Sequence, residues 1–180
     1  MRINWKKRIQ KGNSYGFLTF KNSITKQIRN KANLKIQRNK EFPNKIFNDE
    51  KLFFKTNRSG SLFLREVLIY ADDRPIIYAR TIFKKNLRQL TSIVKKLNDN
   101  PLANIVFKKK TSRSDFIFSH LSPNHKLAKK LNLQNMATEK VIGARRSNFE
   151  CNGEKILLTE ILFRNINSFS FFTFNNTFFD

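Results

Sequence analysis

The strongest pattern along the chain is a two-residue alternation. FLREVLIYADDRPIIYARTIF, residues 63–83, reads as an apolar strand, a polar turn and a second apolar strand, because successive strand side chains point to opposite faces. ADDRP is the turn region, and Pro75 suits a turn or a strand edge. A second such unit, ARRSNFEC, NGEK and ILLTEILF, turns at Asn152-Gly153, a preferred pair for a tight hairpin. SDFIFSH predicts a strand after PLANIVF, and LKIQ is a weaker strand candidate. The period changes at Leu87, Leu90, Ile93, Val94 and Leu97, whose spacing predicts a helix that Asn98 to Pro101 stops. Ser23 stands as the N-cap of a short helix within ITKQIRNKAN, and HKLAKKLNLQ has helical character. Residues 1–20 are basic and weakly patterned, and the stretch around Phe42–Phe54 reads as an irregular connection rich in Lys and Asn. Hairpins with inserted helices predict an α+β fold, a single domain over 1–165 with a central antiparallel sheet of about six strands. A Phe- and Asn-rich tail, 166–180, follows.

Charges interrupt the apolar strands. Arg65 shares a face with Phe63, Val67 and Ile69, whereas Glu66 points the other way among Leu64, Leu68 and Tyr70. Glu160 alternates with Ile156, Leu158 and Leu162. A buried guanidinium keeps its proton and needs an anion. Two readings are open: Arg65 and Glu160 pair in the core, or they line one pocket and meet opposite ends of an anionic, hydroxylated ligand. Desolvation costs on the order of several kcal/mol per ion, so stability alone is a weak reason for such residues. Arg80, between Tyr78 and Ile82 on its face, calls for a structural partner such as Glu66 or Asp115. Arg145 and Arg146 read as part of a solvated basic hairpin, with recruitment of an anionic ligand as the alternative. His120 and His125 have no visible relay partner and read as ordinary histidines.

Composition changes this picture in two ways. Across 180 residues, 36 Lys+Arg against 13 Asp+Glu give a formal charge of +23, which points first to a polyanion such as RNA. The excess lies in Lys, Asn, Ile and Phe, with 19 Phe but only 5 Gly and 4 Pro. That bias toward A- and T-rich codons accounts for the lysines equally well, and no RNA-binding motif accompanies them; no specific nucleic-acid partner is expected. The single cysteine, Cys151, precludes an intramolecular disulfide and fits a reducing compartment. MRINWKKRIQKG lacks the apolar run of a secretory signal, and no stretch approaches the roughly 20 apolar residues of a membrane helix. The expectation is a soluble monomer with no metal and no cofactor, since neither a metal-ligand cluster nor a glycine-rich phosphate loop is present.

FLREVLIYADDRPIIYARTIF, NPLANIVF, SDFIF and GARRSNFECNGEKILLTEILF resemble, in order and spacing, the signature segments of the chorismate lyase family. SITK, 23–26, falls where that family has a similar segment, so the resemblance runs from about Ser23 to Arg164. It implies a lyase that converts chorismate to 4-hydroxybenzoate and pyruvate without a cofactor. It also implies that Arg65 meets the substrate carboxylate and that Glu160, near the ring hydroxyl, orients it or assists proton transfer. These two would be the catalytic residues, with the backbone amides of Ile24 and Leu102 completing substrate binding. Ile24 replaces a more usual Met, and Ala79 and Ala103 replace glycines. The composition further suggests the plastid-encoded branch of red algae, hence a chloroplast stromal protein whose product would serve quinone biosynthesis.

Two rivals remain. A non-catalytic module for aromatic acids, related to effector domains of transcription regulators, fits the same fold; those regulators carry a helix-turn-helix, and none is visible ahead of Ser23. An RNA-binding protein explains only the charge.

Overall fold

A computed structural model describes residues 3–9, 15–38, 45–97, 100, 102, 111–119, 141–151 and 153–169. The alternating segments form one antiparallel sheet, as expected, with seven strands among the described residues: β1 (Leu34–Arg38), β2 (Leu62–Ala71), β3 (Arg74–Lys84), β4 (Thr111–Arg113), β5 (Ile117–Ser119), β6 (Val141–Cys151) and β7 (Glu154–Phe163). The strand order is β1-β2-β3-β7-β6-β4, with β5 also paired to β6. The two expected hairpins are therefore β2–β3 and β6–β7, and they meet where β3 pairs with β7.

The turns follow from local chemistry. Asp72 and Asp73 both adopt positive φ, 47° and 61°, as a two-residue hairpin turn requires and as Asp tolerates. Asp72 also accepts a hydrogen bond from the Asn33 amide and donates its own N–H to the Asn33 carbonyl, which ties the turn to the start of β1. At the other hairpin Gly153 holds φ at 75°.

Among the described residues four short helices cover the sheet: α1 (Tyr15–Thr19), α2 (Ile24–Arg29), α3 (Asn48–Phe53) and α4 (Arg88–Lys96). The Ser23 hydroxyl caps α2 by accepting from the Lys26 amide at 3.2 Å. Val94 and Leu97 pack with Phe83, Phe149 and Ile156, so α4 lies on the face that carries Arg65 and Glu160. Phe17, Leu18, Ile24 and Ile28 cover the same face farther along, against Val67, Ile69, Ile77 and Leu162. Ile166, in the 3-10 turn Arg164–Ser168, is buried in that cluster.

The opposite face holds α3 and a charged core. Register places Glu66 beside Arg80, Arg80 beside Thr159 and Thr159 beside Arg146, a polar row across four strands. Arg80 is bound by Glu66, as anticipated, and also by Glu50 from α3 through Nε at 3.0 Å and Nη2 at 2.8 Å. The expectation of a solvated basic hairpin is corrected here: Arg145 and Arg146 are both buried. Each points into a different face, because neighbouring strand residues alternate. Arg146 pairs with Asp49 at 2.7 Å, donates to the Thr159 hydroxyl at 2.9 Å and lies over the Trp5 ring.

PLANIVF apart from Leu102, HKLAKKLNLQ, Asn98 and Pro101, His120, His125, Ala103 and Asn152, and the tail beyond Phe169, for which the sequence carries expectations, lie outside the described residues.

Candidate active site

The face beneath α2 is not filled completely. A pocket with about 630 Å³ of atom-free space, partly open to solvent, lies between that helix and the sheet. Arg65, Glu160, Ile24 and Leu102 all line it, so the structure brings together every site residue expected from sequence. Val67, Ile69, Ala79 and Leu158 form its apolar floor.

Each polar wall is set by strand register. Arg65 on β2 sits opposite Thr81 on β3, and Glu160 on β7 sits opposite Ala79, two residues farther along β3. All four project to the pocket face, since residues two apart on a strand point the same way. Arg65 is 3% exposed and donates from Nη2 to the Asn100 carbonyl at 2.9 Å. Ile24 opens α2, where the first amides have no carbonyl partner within the helix. The absence of a Cβ branch or longer chain at Ala79 keeps the floor low beside Glu160.

Glu160 takes its cations from the side away from Arg65. Arg145, directly across on β6, donates from Nε at 2.7 Å, and Nη2 of Arg113 on β4 approaches to 3.6 Å. Arg145 is otherwise spent on the carbonyls of Phe17 at 3.1 Å and Phe20 at 2.7 Å, so it also anchors the chain leading into α2. Arg113 donates from Nε to the Ser147 hydroxyl at 2.9 Å and from Nη1 to the Lys21 carbonyl at 3.0 Å, and its guanidinium lies over the Phe116 and Phe149 rings. Burial pulls the Arg113 guanidinium down to about 10, with Arg145 adding to that effect and Glu160 opposing it. It stays charged at neutral pH.

Sequence reasoning missed Arg113 altogether. It lies in KKKTSRSD, a stretch with no apolar alternation, and β4 is only three residues long. Its only sequence signal is its position just ahead of the SDFIF segment.

Cationic and carboxylate side chains on one apolar floor, with helix-opening amides above, have the chemistry to hold a small organic anion. Comparison with known proteins supplies the lineage: the family model described as chorismate lyase matches residues 11–170. This chain belongs to the chorismate lyase family. Among relatives, a protein named probable chorismate pyruvate-lyase from Cupriavidus metallidurans is 29% identical over 154 residues, covering 83% of this chain and 72% of its own length. A protein of the same name from Cupriavidus pinatubonensis is 35% identical over 101 residues, which is 54% of this chain and 52% of the relative. The chorismate pyruvate-lyase of Pectobacterium atrosepticum is 29% identical over 55% of this chain and 47% of its own. Against these last two the alignment spans about half of each protein. The pocket is thus the candidate active site of a chorismate lyase family member.

Proposed function

We propose that the chain is a working lyase that converts chorismate to 4-hydroxybenzoate and pyruvate, with the pocket under α2 as its active site. The observation that carries this reading is the convergence of Arg65, Glu160, Ile24 and Leu102 on one pocket from four separate parts of the chain. The reaction breaks the bond between the ring and the ether oxygen and removes the hydrogen on the adjacent, hydroxyl-bearing carbon. That hydrogen ends on the methylene carbon of the departing enolpyruvyl group, which leaves as pyruvate, and the ring becomes aromatic. Aromatisation supplies the driving force, so the protein's work is positioning and electrostatic stabilisation.

In this reading Arg65 grips the ring carboxylate, and the amides of Ile24 and Leu102 complete that end. Glu160 lies two strands away, near the para hydroxyl, where it orients that group or assists the proton shift. Its contact with Arg145 fixes its position. The AT-rich composition supports assignment to the red algal plastid branch, with the protein acting as a monomer in the chloroplast stroma and its product supplying quinone biosynthesis.

Incubating the purified protein with chorismate should yield 4-hydroxybenzoate and pyruvate in equal amounts. Arg65→Ala should keep its circular dichroism spectrum while losing most turnover and most affinity for 4-hydroxybenzoate. A parent protein with neither turnover nor affinity for either compound would sink the proposal.

A further inference from the structure

Among the described residues lining the pocket, three guanidinium groups, Arg65, Arg113 and Arg145, face one carboxylate, Glu160. Chorismate carries two carboxylates, whereas 4-hydroxybenzoate keeps only one. The three arginines are not equivalent. Arg145 is 1% exposed and committed to Glu160 and to two backbone carbonyls. Arg65 lies on the far side of Glu160, two strands away across β3. Arg113 makes its hydrogen bonds through Nε and Nη1, while Nη2 stands 3.6 Å from Glu160, outside hydrogen-bond range. Its side chain is 16% exposed, more open than that of Arg145. The Ser147, Lys21 and aromatic contacts hold the guanidinium plane in place, so Nη2 is a preorganised donor at the Glu160 end of the pocket.

We propose that Arg113 binds the second carboxylate of a dianionic substrate, the one on the enolpyruvyl group that departs. The assignment rests on the lyase reading for the identity of the dianion. With Arg65 on the ring carboxylate and Glu160 at the para hydroxyl, the ether substituent on the carbon beside that hydroxyl projects from the Glu160 end of the ring. Its carboxylate then reaches Arg113. After elimination, pyruvate carries that carboxylate away and 4-hydroxybenzoate keeps only the Arg65 contact. Arg113 thereby separates substrate from product.

The test compares two affinities in one variant. Arg113→Gln should raise the KM for chorismate at least tenfold while changing the Kd for 4-hydroxybenzoate less than twofold. Pyruvate should inhibit the parent competitively and the variant far more weakly. Arg113→Lys, which keeps the charge, should restore part of the chorismate affinity, and it carries the test if the Gln variant does not fold. Equal shifts for chorismate and 4-hydroxybenzoate would make Arg113 a wall residue only, and no shift in either would remove it from the site; both overturn the inference. If the parent binds chorismate without converting it, the lyase reading fails alone, and calorimetric Kd values for the two ligands give the same ratio.

Discussion

Glu160 has two duties at the scale of single residues. It is the anion that Arg145 and Arg113 face, and it lies on the floor where a substrate hydroxyl would rest. Glu160→Gln separates these duties, because the amide keeps the volume and a hydrogen-bonding group but loses charge and proton-transfer ability. Removing a negative charge from a pocket that binds anions should leave chorismate affinity intact or tighter. Turnover should fall by roughly 100-fold or more, since only interactions stronger in the transition state change the chemical rate. Steady-state kinetics beside calorimetry reads both. Parent-like turnover in the variant would reduce the carboxylate to a structural partner of the two arginines.

The decisive element is α3, a single six-residue helix on the face away from the pocket. Its Asp49 and Glu50 carry carboxylates to Arg146 and Arg80, and Glu50 also accepts the Phe47 amide at 2.7 Å. Burial by itself would lower the Arg80 guanidinium, yet Glu50 and Glu66 more than offset it and raise it above the ordinary value. The same burial dominates at Arg146, which is lowered despite Asp49. Arg80 also sits beside Tyr78, whose hydroxyl donates to Glu66 and is pushed up by burial and by that carboxylate. Arg80→Ala would leave Glu50 and Glu66 buried without their main cation, and should cost about 3–5 kcal/mol in urea denaturation. A loss within about 1 kcal/mol would show that the row is not a stabilising tie between α3 and the sheet. The row spans β2, β3, β7 and β6, so the strands that present Arg65 and Glu160 on one face are locked together on the other.

For the whole molecule, the formal charge of +23 is far larger than the three guanidinium groups lining the pocket account for. Many of the described lysines are exposed. Surface charge of this kind should attract nucleic acid weakly and without selectivity, and filter binding should show retention that disappears as salt is added. Tight, sequence-selective retention at physiological salt would contradict this and revive a nucleic-acid role. Among the described residues no helix is long and apolar enough to cross a membrane.

Local physics made the hairpins and α4 legible in sequence: alternation needs only adjacent residues, Asp-Asp and Gly at turns act on their own φ, and the apolar stripe from Leu87 to Leu97 repeats within one helix. The faces of Arg65 and Glu160 were legible for the same reason, and their chemical roles came from a resemblance in motif order. The partners of those charges were not legible. Glu160 meets Arg113 and Arg145, and Arg80 meets Glu50, across 47, 15 and 30 residues of chain. A carboxylate in a strand states that a cation or ligand is needed, but only strand order and register choose which one. The short α1 and α3 escaped prediction likewise, since a turn or two of helix has little stability of its own and forms where tertiary contacts hold it. Sequence thus determined which segments alternate and which charges they bury, and the tertiary structure decided which charges meet, because pairing energies depend on distances that a linear chain does not contain.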